Sequence, residues 1–275
     1  MAAEALCDRA AGSPDPQVET IVDRAMDRKV FLKLTGLTTL ALLTLRPGQV
    51  LAMGTAPPAV KKRRYGMAID LKRCVACRAC TMACKLENKT PPGMFYTRVD
   101  EEELGEYPNV RRRSIPTPCL HCENPPCVPA CPIQATFKRE NDGIVVVDYE
   151  KCKGLGACVT ACPYGARALD LGDSYHEGKS EFNKIPSDEY GKKWVREDGQ
   201  PPIGKVRKCT FCTHLQDGQG NYTDLPACAR TCMGKAIHFG DLSDPASEVS
   251  QLLGQRPWVR LKEELGTRPS VYYLV

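Results

Sequence analysis

"CVACRACTMACK" runs from residue 74 to residue 85. Its cysteines, Cys74, Cys77, Cys80 and Cys84, have the spacing C-x2-C-x2-C-x3-C. This is the bacterial ferredoxin run without its usual proline. In such a run three thiolates can wrap one iron–sulfide cube from a tight loop. The fourth lies about one helical turn further on and points to a second cluster.

The rest of the chain repeats this theme. There are 16 Cys in 275 residues, far above ordinary usage for this length. Cys7 stands alone. The others form a second group, Cys119, Cys122, Cys127 and Cys131; a third, Cys152, Cys158 and Cys162; and a fourth, Cys209, Cys212, Cys228 and Cys232. The third group, in "KCKGLGACVTACP" (151–163), carries Leu155 where its second cysteine is due. Disulfides fit poorly, because they favour small secreted scaffolds and C-x2-C is not their repeat. Zinc takes isolated C-x2-C pairs closed by another pair or by His. Four Cys in eleven residues are too many for one zinc, and only four His occur. Iron–sulfur clusters are the preferred reading, with a zinc-stapled interaction protein as one alternative.

In ferredoxin-type runs the last cysteine ligates the partner run's cluster. The runs at 119–131 and 152–162 are neighbours and pair. The run at 74–84 then pairs with 209–232. The rule assigns cluster one to Cys74, Cys77, Cys80 and Cys232, and cluster two to Cys84, Cys209, Cys212 and Cys228. Cluster three takes Cys119, Cys122, Cys127 and Cys162; cluster four takes Cys131, Cys152 and Cys158. The expected fold is α+β: two interleaved ferredoxin-like dicluster modules with short strands, short helices and long loops. Residues 64–107 plus 205–245 make the first module, and 108–171 the second, inserted one. Around them lie an N-terminal extension (1–53), a linker (54–63), a long loop (172–204) and a C-terminal tail (246–275).

On these motifs the chain resembles the four-cluster electron-transfer subunits of the molybdopterin oxidoreductases. That group includes the polysulfide, thiosulfate, tetrathionate, arsenate and dimethyl sulfoxide reductases. The matching stretches are "RYGMAIDLKRC", "CENPPCVPACP", "DGIVVVDYEKC", "ACPYGAR", "KCTFC", "HFGDLSDPASEVSQLL" and "ELGTRPSVYYL". They span nearly everything from Arg64 onward. The resemblance implies two partners, a molybdopterin-containing catalytic subunit and a multi-span membrane subunit that reacts with quinone. This chain would relay electrons between them without a catalytic site of its own, with cluster one near the molybdenum and cluster four near the membrane. A standalone polyferredoxin-type carrier is the other alternative. Terminal substrate and direction of flow belong to the partners.

Leu155 has no donor atom for iron. Cluster four therefore has three thiolates, and a cube missing one ligand tends to lose the unheld iron. The expected cofactors are three [4Fe–4S] clusters and one [3Fe–4S], the alternative being four [4Fe–4S] with water or hydroxide on the open corner. Some relatives with a large non-cysteine residue here carry a three-iron cluster, which favours the first by resemblance. Asp148 is a further conceivable ligand. An apolar residue over the open corner is expected to exclude water.

"YGMAID" and "GIVVVDYEKC" read as short strands entering cluster loops. Apolar content is 42% but comes in short pieces, so folding and metal insertion are expected to be coupled. Gly172 to Gly204 is Gly-, Pro- and charge-rich without periodicity, and reads as a surface strap, a partner contact or a loose insert. His121 and His214 flank cluster loops and read as surface side chains, with tuning of a cluster as the second reading.

The formal net charge is +5. Basic runs at Lys61–Arg64 and Arg111–Arg113 read as solvated surface. Nothing supports nucleic-acid binding. Near the N-terminus, Arg28, Lys29 and Lys33 precede an uncharged run, Leu34 to Leu45. Twelve helical residues span about 18 Å, short of a hydrocarbon core of roughly 30 Å. The segment reads as a signal region starting at Met26, twin-arginine-like with Lys29 in place of one arginine. Export of the folded protein to the periplasmic face of the membrane follows as an expectation, the cytoplasmic face being the alternative.

Overall fold

The computed structural model describes residues 62–172 and 185–275, all within one unit, Val60–Val275. The expected signal segment, Cys7 and most of the linker lie outside the described residues, as does 173–184 of the long loop. In chain order the elements are β1 (Tyr65–Asp70), α1 (Ala79–Asn88), β2 (Arg98–Leu104), β3 (Arg111–Thr117), β4 (Thr136–Lys138), β5 (Val145–Val147), α2 (Ala157–Thr160) and β6 (Arg167–Leu169). There follow β7 (Ser187–Glu189), β8 (Lys192–Trp194), β9 (Val206–Lys208), α3 (Ala227–Arg230), β10 (Ile237–Asp241), α4 (Glu248–Gln255), β11 (Trp258–Val259) and β12 (Val271–Leu274). Short strands and short helices joined by loops make the fold α+β, as the cysteine spacing implies.

A four-stranded sheet, in the order β10-β1-β12-β11, anchors one end. All six residues of β1 are buried. Strand side chains alternate between faces. Met67 and Ile69 enter the main core, while Ala68 packs with Val249 and Leu274 under α4. Each fully buried Met or Ile contributes roughly 1.5–3 kcal/mol. Strand β12 pairs parallel to β1, with Met67 opposite Val271 and Asp70 opposite Leu274. The segment expected as a tail is therefore the second central strand of this sheet plus a covering helix. Among the described residues no helix is long and apolar enough to cross a membrane.

The remaining sheets are two-stranded ribbons: β2–β3, β4–β5, β6–β9 and β7–β8. In the first, Arg112 stands opposite Glu103 and Arg113 opposite Glu102. The basic run 111–113 is thus answered by an acidic run in its own hairpin. Pairs such as Arg113–Glu102 at 2.7 Å are exposed and are worth about 0–1 kcal/mol each.

Within 185–204 the structure contains the hairpin β7–β8, which the absence of periodicity had hidden. Its two-residue turn is Tyr190 (φ 56°) and Gly191 (φ 77°), the left-handed pair that matches strand twist. Glu189 at the turn is fully buried. It accepts hydrogen bonds from Arg207 (2.6 Å), from the Tyr149 hydroxyl (2.5 Å) and from the Tyr96 hydroxyl (3.0 Å). The hairpin is pinned to the core by charge.

Candidate metal centres

Backbone winding positions the cysteines. The residue two beyond the first cysteine of each group has positive φ: Ala76 (57°), His121 (41°), Gly154 (70°) and Phe211 (56°). Each group thus begins with the same left-handed kink, which sharply redirects the chain before the next cysteine position. The match extends further between the first and third groups. Arg78 (58°) and Gly156 (74°), four beyond the first cysteine, are also left-handed. Leu155 therefore occupies the winding position of Cys77. Non-glycine residues resist positive φ. At Gly154 an added Cβ would also lie 2.3 Å from the Gly204 carbonyl oxygen.

After the kink comes a helical turn. Helix α1 buries Cys80, Cys84 and Asn88, which are spaced by four residues and so share one face. Thiols four apart sit about 6 Å apart along a helix axis. Cys80 and Cys84 nevertheless face different groups. Cys80 lines a small pocket with Cys74, Cys77 and Cys232. Cys84 is pushed well up by burial and by neighbouring Cys209 and Cys212. Cys228 is raised by burial and by Cys84, Cys212 and Cys209. The inserted module repeats the plan. Cys119, Cys122, Cys127 and Cys162 line one pocket; Cys131, Cys152 and Cys158 line another together with Leu155 and the two flanking glycines. All fifteen described cysteines are free thiols; eleven of them line these three pockets, and Cys84, Cys209, Cys212 and Cys228 neighbour one another. Asp148 does not line the Leu155 pocket; its carboxylate accepts from the Glu150 and Lys151 amides.

A four-cysteine zinc site holds every sulfur about 2.3 Å from one point, hence about 4 Å from one another. Among the described residues no three Cys, His, Asp or Glu side chains are arranged to hold a single metal ion. The thiols instead ring cavities. That donor set and spacing fit a polynuclear iron–sulfur centre in each pocket.

Burial makes several of these thiols poor acids. It pushes Cys122 up to about 12, helped by Cys119, and Cys209 to about 12, with Cys119 adding to the effect. As bare thiols they are neutral near pH 7. Iron must bind them as thiolates, so loading releases protons and its free energy is part of the folding free energy. Cys131 differs. Burial raises it, but the amides of Thr136, Ala135 and Ile133 donate to its sulfur and pull it below the ordinary value. Other donors reach sulfur directly: the Arg167 guanidinium to Cys127 at 3.0 Å, the Ala236 amide to Cys232 at 3.2 Å and the Phe211 amide to Cys209 at 3.4 Å. Such bonds stabilise negative charge on the metal side.

The two histidines are not surface side chains. His121 is 1% exposed, because its left-handed kink turns the ring inward onto Phe211, with 3.8 Å between ring centroids. Its Nδ1 accepts from the Val145 amide at 3.1 Å. Burial, then the Lys208 and Arg167 charges, hold it well below the usual imidazole range, so it is neutral. His121 and Phe211 hold equivalent kink positions in different modules, so their contact joins the Cys119 loop to the Cys209 loop. His214 bonds Glu87 at 2.8 Å. Sequence reading also missed Arg167, Lys208 and the Arg207–Glu189 pair. The only prior signal was their place beside cysteines, in "ACPYGAR" and "VRKC".

Residues 110–177 match the family model described as a 4Fe-4S dicluster domain. The chain is 51% identical over 212 residues to the B subunit of selenate reductase from Mesobacillus selenatarsenatis, covering 76% of this chain and 70% of that protein. It is 41% identical over 218 residues to the B subunit of tetrathionate reductase from Salmonella typhimurium, covering 78% and 73%. To the arsenate respiratory reductase iron–sulfur subunit ArrB of Shewanella sp. it is 34% identical over 229 residues, covering 77% and 96%. With its cysteine pockets, its dicluster domain and relatives of this kind along most of its length, the chain belongs to the family of iron–sulfur B subunits of the reductase complexes, electron-transport subunits of oxidoreductases.

Proposed function

We propose that the protein relays single electrons through four iron–sulfur clusters, between a quinone-reactive membrane subunit and a molybdopterin catalytic subunit. The observation that carries this reading is the linear linkage of the four cysteine sets. The first and second sets share α1 through Cys80 and Cys84. The second and third meet where Cys119 acts on Cys209 and where His121 packs on Phe211. The third and fourth share the stretch from Cys127 to Cys131. Such an order makes a wire with two ends. Exposed apolar side chains stand at both: Val75 and Met233 beside the first set, Leu155 beside the fourth.

In this reading the ligands are those the pairing rule names, and the fourth cluster is [3Fe–4S]. What supports the three-iron form is the winding match between Leu155 and Cys77. Leu155 is 61% exposed, so exclusion of water from that corner falls to the docked membrane partner rather than to the leucine alone. The clusters supply one-electron redox capacity. The chain's residues hold them, exclude water around the buried thiolates and donate hydrogen bonds to sulfur. The complex lies on the periplasmic face of the cytoplasmic membrane, and the chain is exported folded with its clusters in place.

Anaerobic purification tests this. Iron should be about 15 per chain, from three four-iron clusters and one three-iron cluster. The air-oxidised protein should give the electron paramagnetic resonance (EPR) signal of an oxidised three-iron cluster, and Leu155→Cys should abolish it. Cys232→Ser should disturb cluster one and spare cluster four. About 16 iron with no three-iron signal means an open-corner four-iron cube instead. Disturbance of cluster four by Cys232→Ser overturns the ligand assignment.

A further inference from the structure

Strands β6 and β9 form an antiparallel ribbon in which Arg167 stands directly opposite Lys208. Directly opposed residues share a face, and like charges so placed repel. Both side chains are buried, at 5% and 0% exposure. Neither meets a carboxylate among the described residues. Arg167 donates to Thr136 Oγ1 at 3.2 Å and to Cys127 Sγ at 3.0 Å, and its Nε is buried with no partner. Lys208 Nζ donates to the Cys209 carbonyl oxygen at 2.7 Å.

The neighbouring position in the ribbon, where Arg207 stands opposite Ala168, shows that this is no general lack of carboxylates. Arg207, adjacent on β9, points to the opposite face. There it is matched by Glu189 at 2.6 Å and Asp170 at 3.1 Å. One face of the ribbon is charge-balanced and the other holds two uncompensated cations. Buried charge is retained only where an opposite charge meets it. Besides neutral His121 and the Tyr190 hydroxyl, the groups that act on the uncompensated face are thiols. Cys119, Cys209 and Cys127 act on Lys208, and Cys127, Cys119 and Cys158 act on Arg167.

We infer that Arg167 and Lys208 form a cationic bracket at the crossing between the two modules, which raises the reduction potentials of the second and third clusters relative to the first. This rests on the four-cluster reading above. Reduction adds one electron to a cluster and neither makes nor breaks a bond, so the cluster becomes more negative by one charge. A fixed cation beside it favours that form. The guanidinium keeps its charge at any working pH. The bracket is buried, so salt should screen it little. It is a positioning and tuning element for electrons, at the point where they must leave one module for the other.

The test is a chemical redox titration of the intact, cluster-loaded protein, with each cluster followed by its EPR signal. Arg167→Gln should lower the midpoint of the third cluster, and that of the fourth by less. Lys208→Met should lower the second and third. Arg167→Lys and Lys208→Arg should stay near wild type, and the first cluster should not move in any variant. The shifts should persist at high salt. Unchanged second and third midpoints, or an equal shift in all four, overturn the bracket. Suppose instead that both neutral variants lose iron. Retention of iron by the charge-preserving variants then supports the bracket, and its loss from them as well overturns it. A wild-type iron content far from about 15 per chain overturns the relay reading itself, independently of any shift.

Discussion

Removal of the Glu189 carboxylate should unpin the β7–β8 hairpin without touching a cysteine. Arg207 is fully buried, and Glu189 and Asp170 are its two carboxylate partners. Asp170 is also shared with Arg196 at 2.8 Å. Wild type therefore balances two guanidiniums with two carboxylates. Glu189→Ala leaves two against one, and leaves the Tyr149 hydroxyl without its acceptor. Breaking a buried pair from one side costs about 3–5 kcal/mol. At about 1.4 kcal/mol per decade this raises the opened population roughly a hundred- to several-thousand-fold. Limited proteolysis reads that population directly when opening and closing outpace cleavage. The expected result is cleavage within 185–204 faster by that factor, at unchanged iron content. Replacing both partners, Glu189→Leu with Arg207→Met, leaves Asp170 paired to Arg196. It should recover most of the loss, because an apolar pair of similar volume is often no worse than a buried ion pair. The reasoning is refuted if Glu189→Ala accelerates cleavage by less than about tenfold, or if the double variant equals the sum of the singles, since contacting residues must couple.

Other expectations follow from particular residues. Gly154→Ala forces a left-handed kink onto a side chain that also meets the Gly204 carbonyl oxygen; it should cost about 1–3 kcal/mol locally and remove the fourth cluster's EPR signal while sparing the first. Burial pushes Asp170 up, but the Arg196 hydrogen bond and the Arg207 and Arg196 charges outweigh it and hold the carboxyl below its ordinary value. A depressed carboxyl contributes stability that is present above the unfolded pKa of about 3.9 and lost as pH falls through the folded value. Bleaching rates measured across that acid range should therefore rise less steeply in Asp170→Asn, which will also be the less stable protein at neutral pH. Stripping iron with a chelator should collapse the near-ultraviolet circular dichroism of the whole Val60–Val275 unit, and iron and sulfide should restore it with proton release measurable in weak buffer. A stripped chain that keeps its full signal would show that the core stands without its clusters.

The local parts of this protein were legible in its sequence. The C-x2-C runs were legible as loops that gather thiols, because a tight loop brings residues of that spacing to one pocket, as it does Cys74, Cys77 and Cys80 or Cys119, Cys122 and Cys127. Strands β1 and β5 were legible as apolar runs entering those loops. Leu155 was legible as a missing donor, since coordination needs a lone pair whatever the fold. What only the tertiary structure decided depends on contacts distant in sequence. The hairpin within 185–204 has no periodicity, because what holds it is one buried carboxylate and two aromatic rings, Tyr190 and Trp194, packed on Tyr149, rather than an alternating apolar face. The C-terminal segment looked like a tail, because a parallel strand pairing leaves no local turn signal; its partner β1 lies some two hundred residues away. His121 looked like a surface side chain until its kink turned it inward. The uncompensated face of Arg167 and Lys208 exists only where β6 meets β9. There cross-strand register sets two cations side by side, and strand alternation sends the carboxylate-paired Arg207 to the other face.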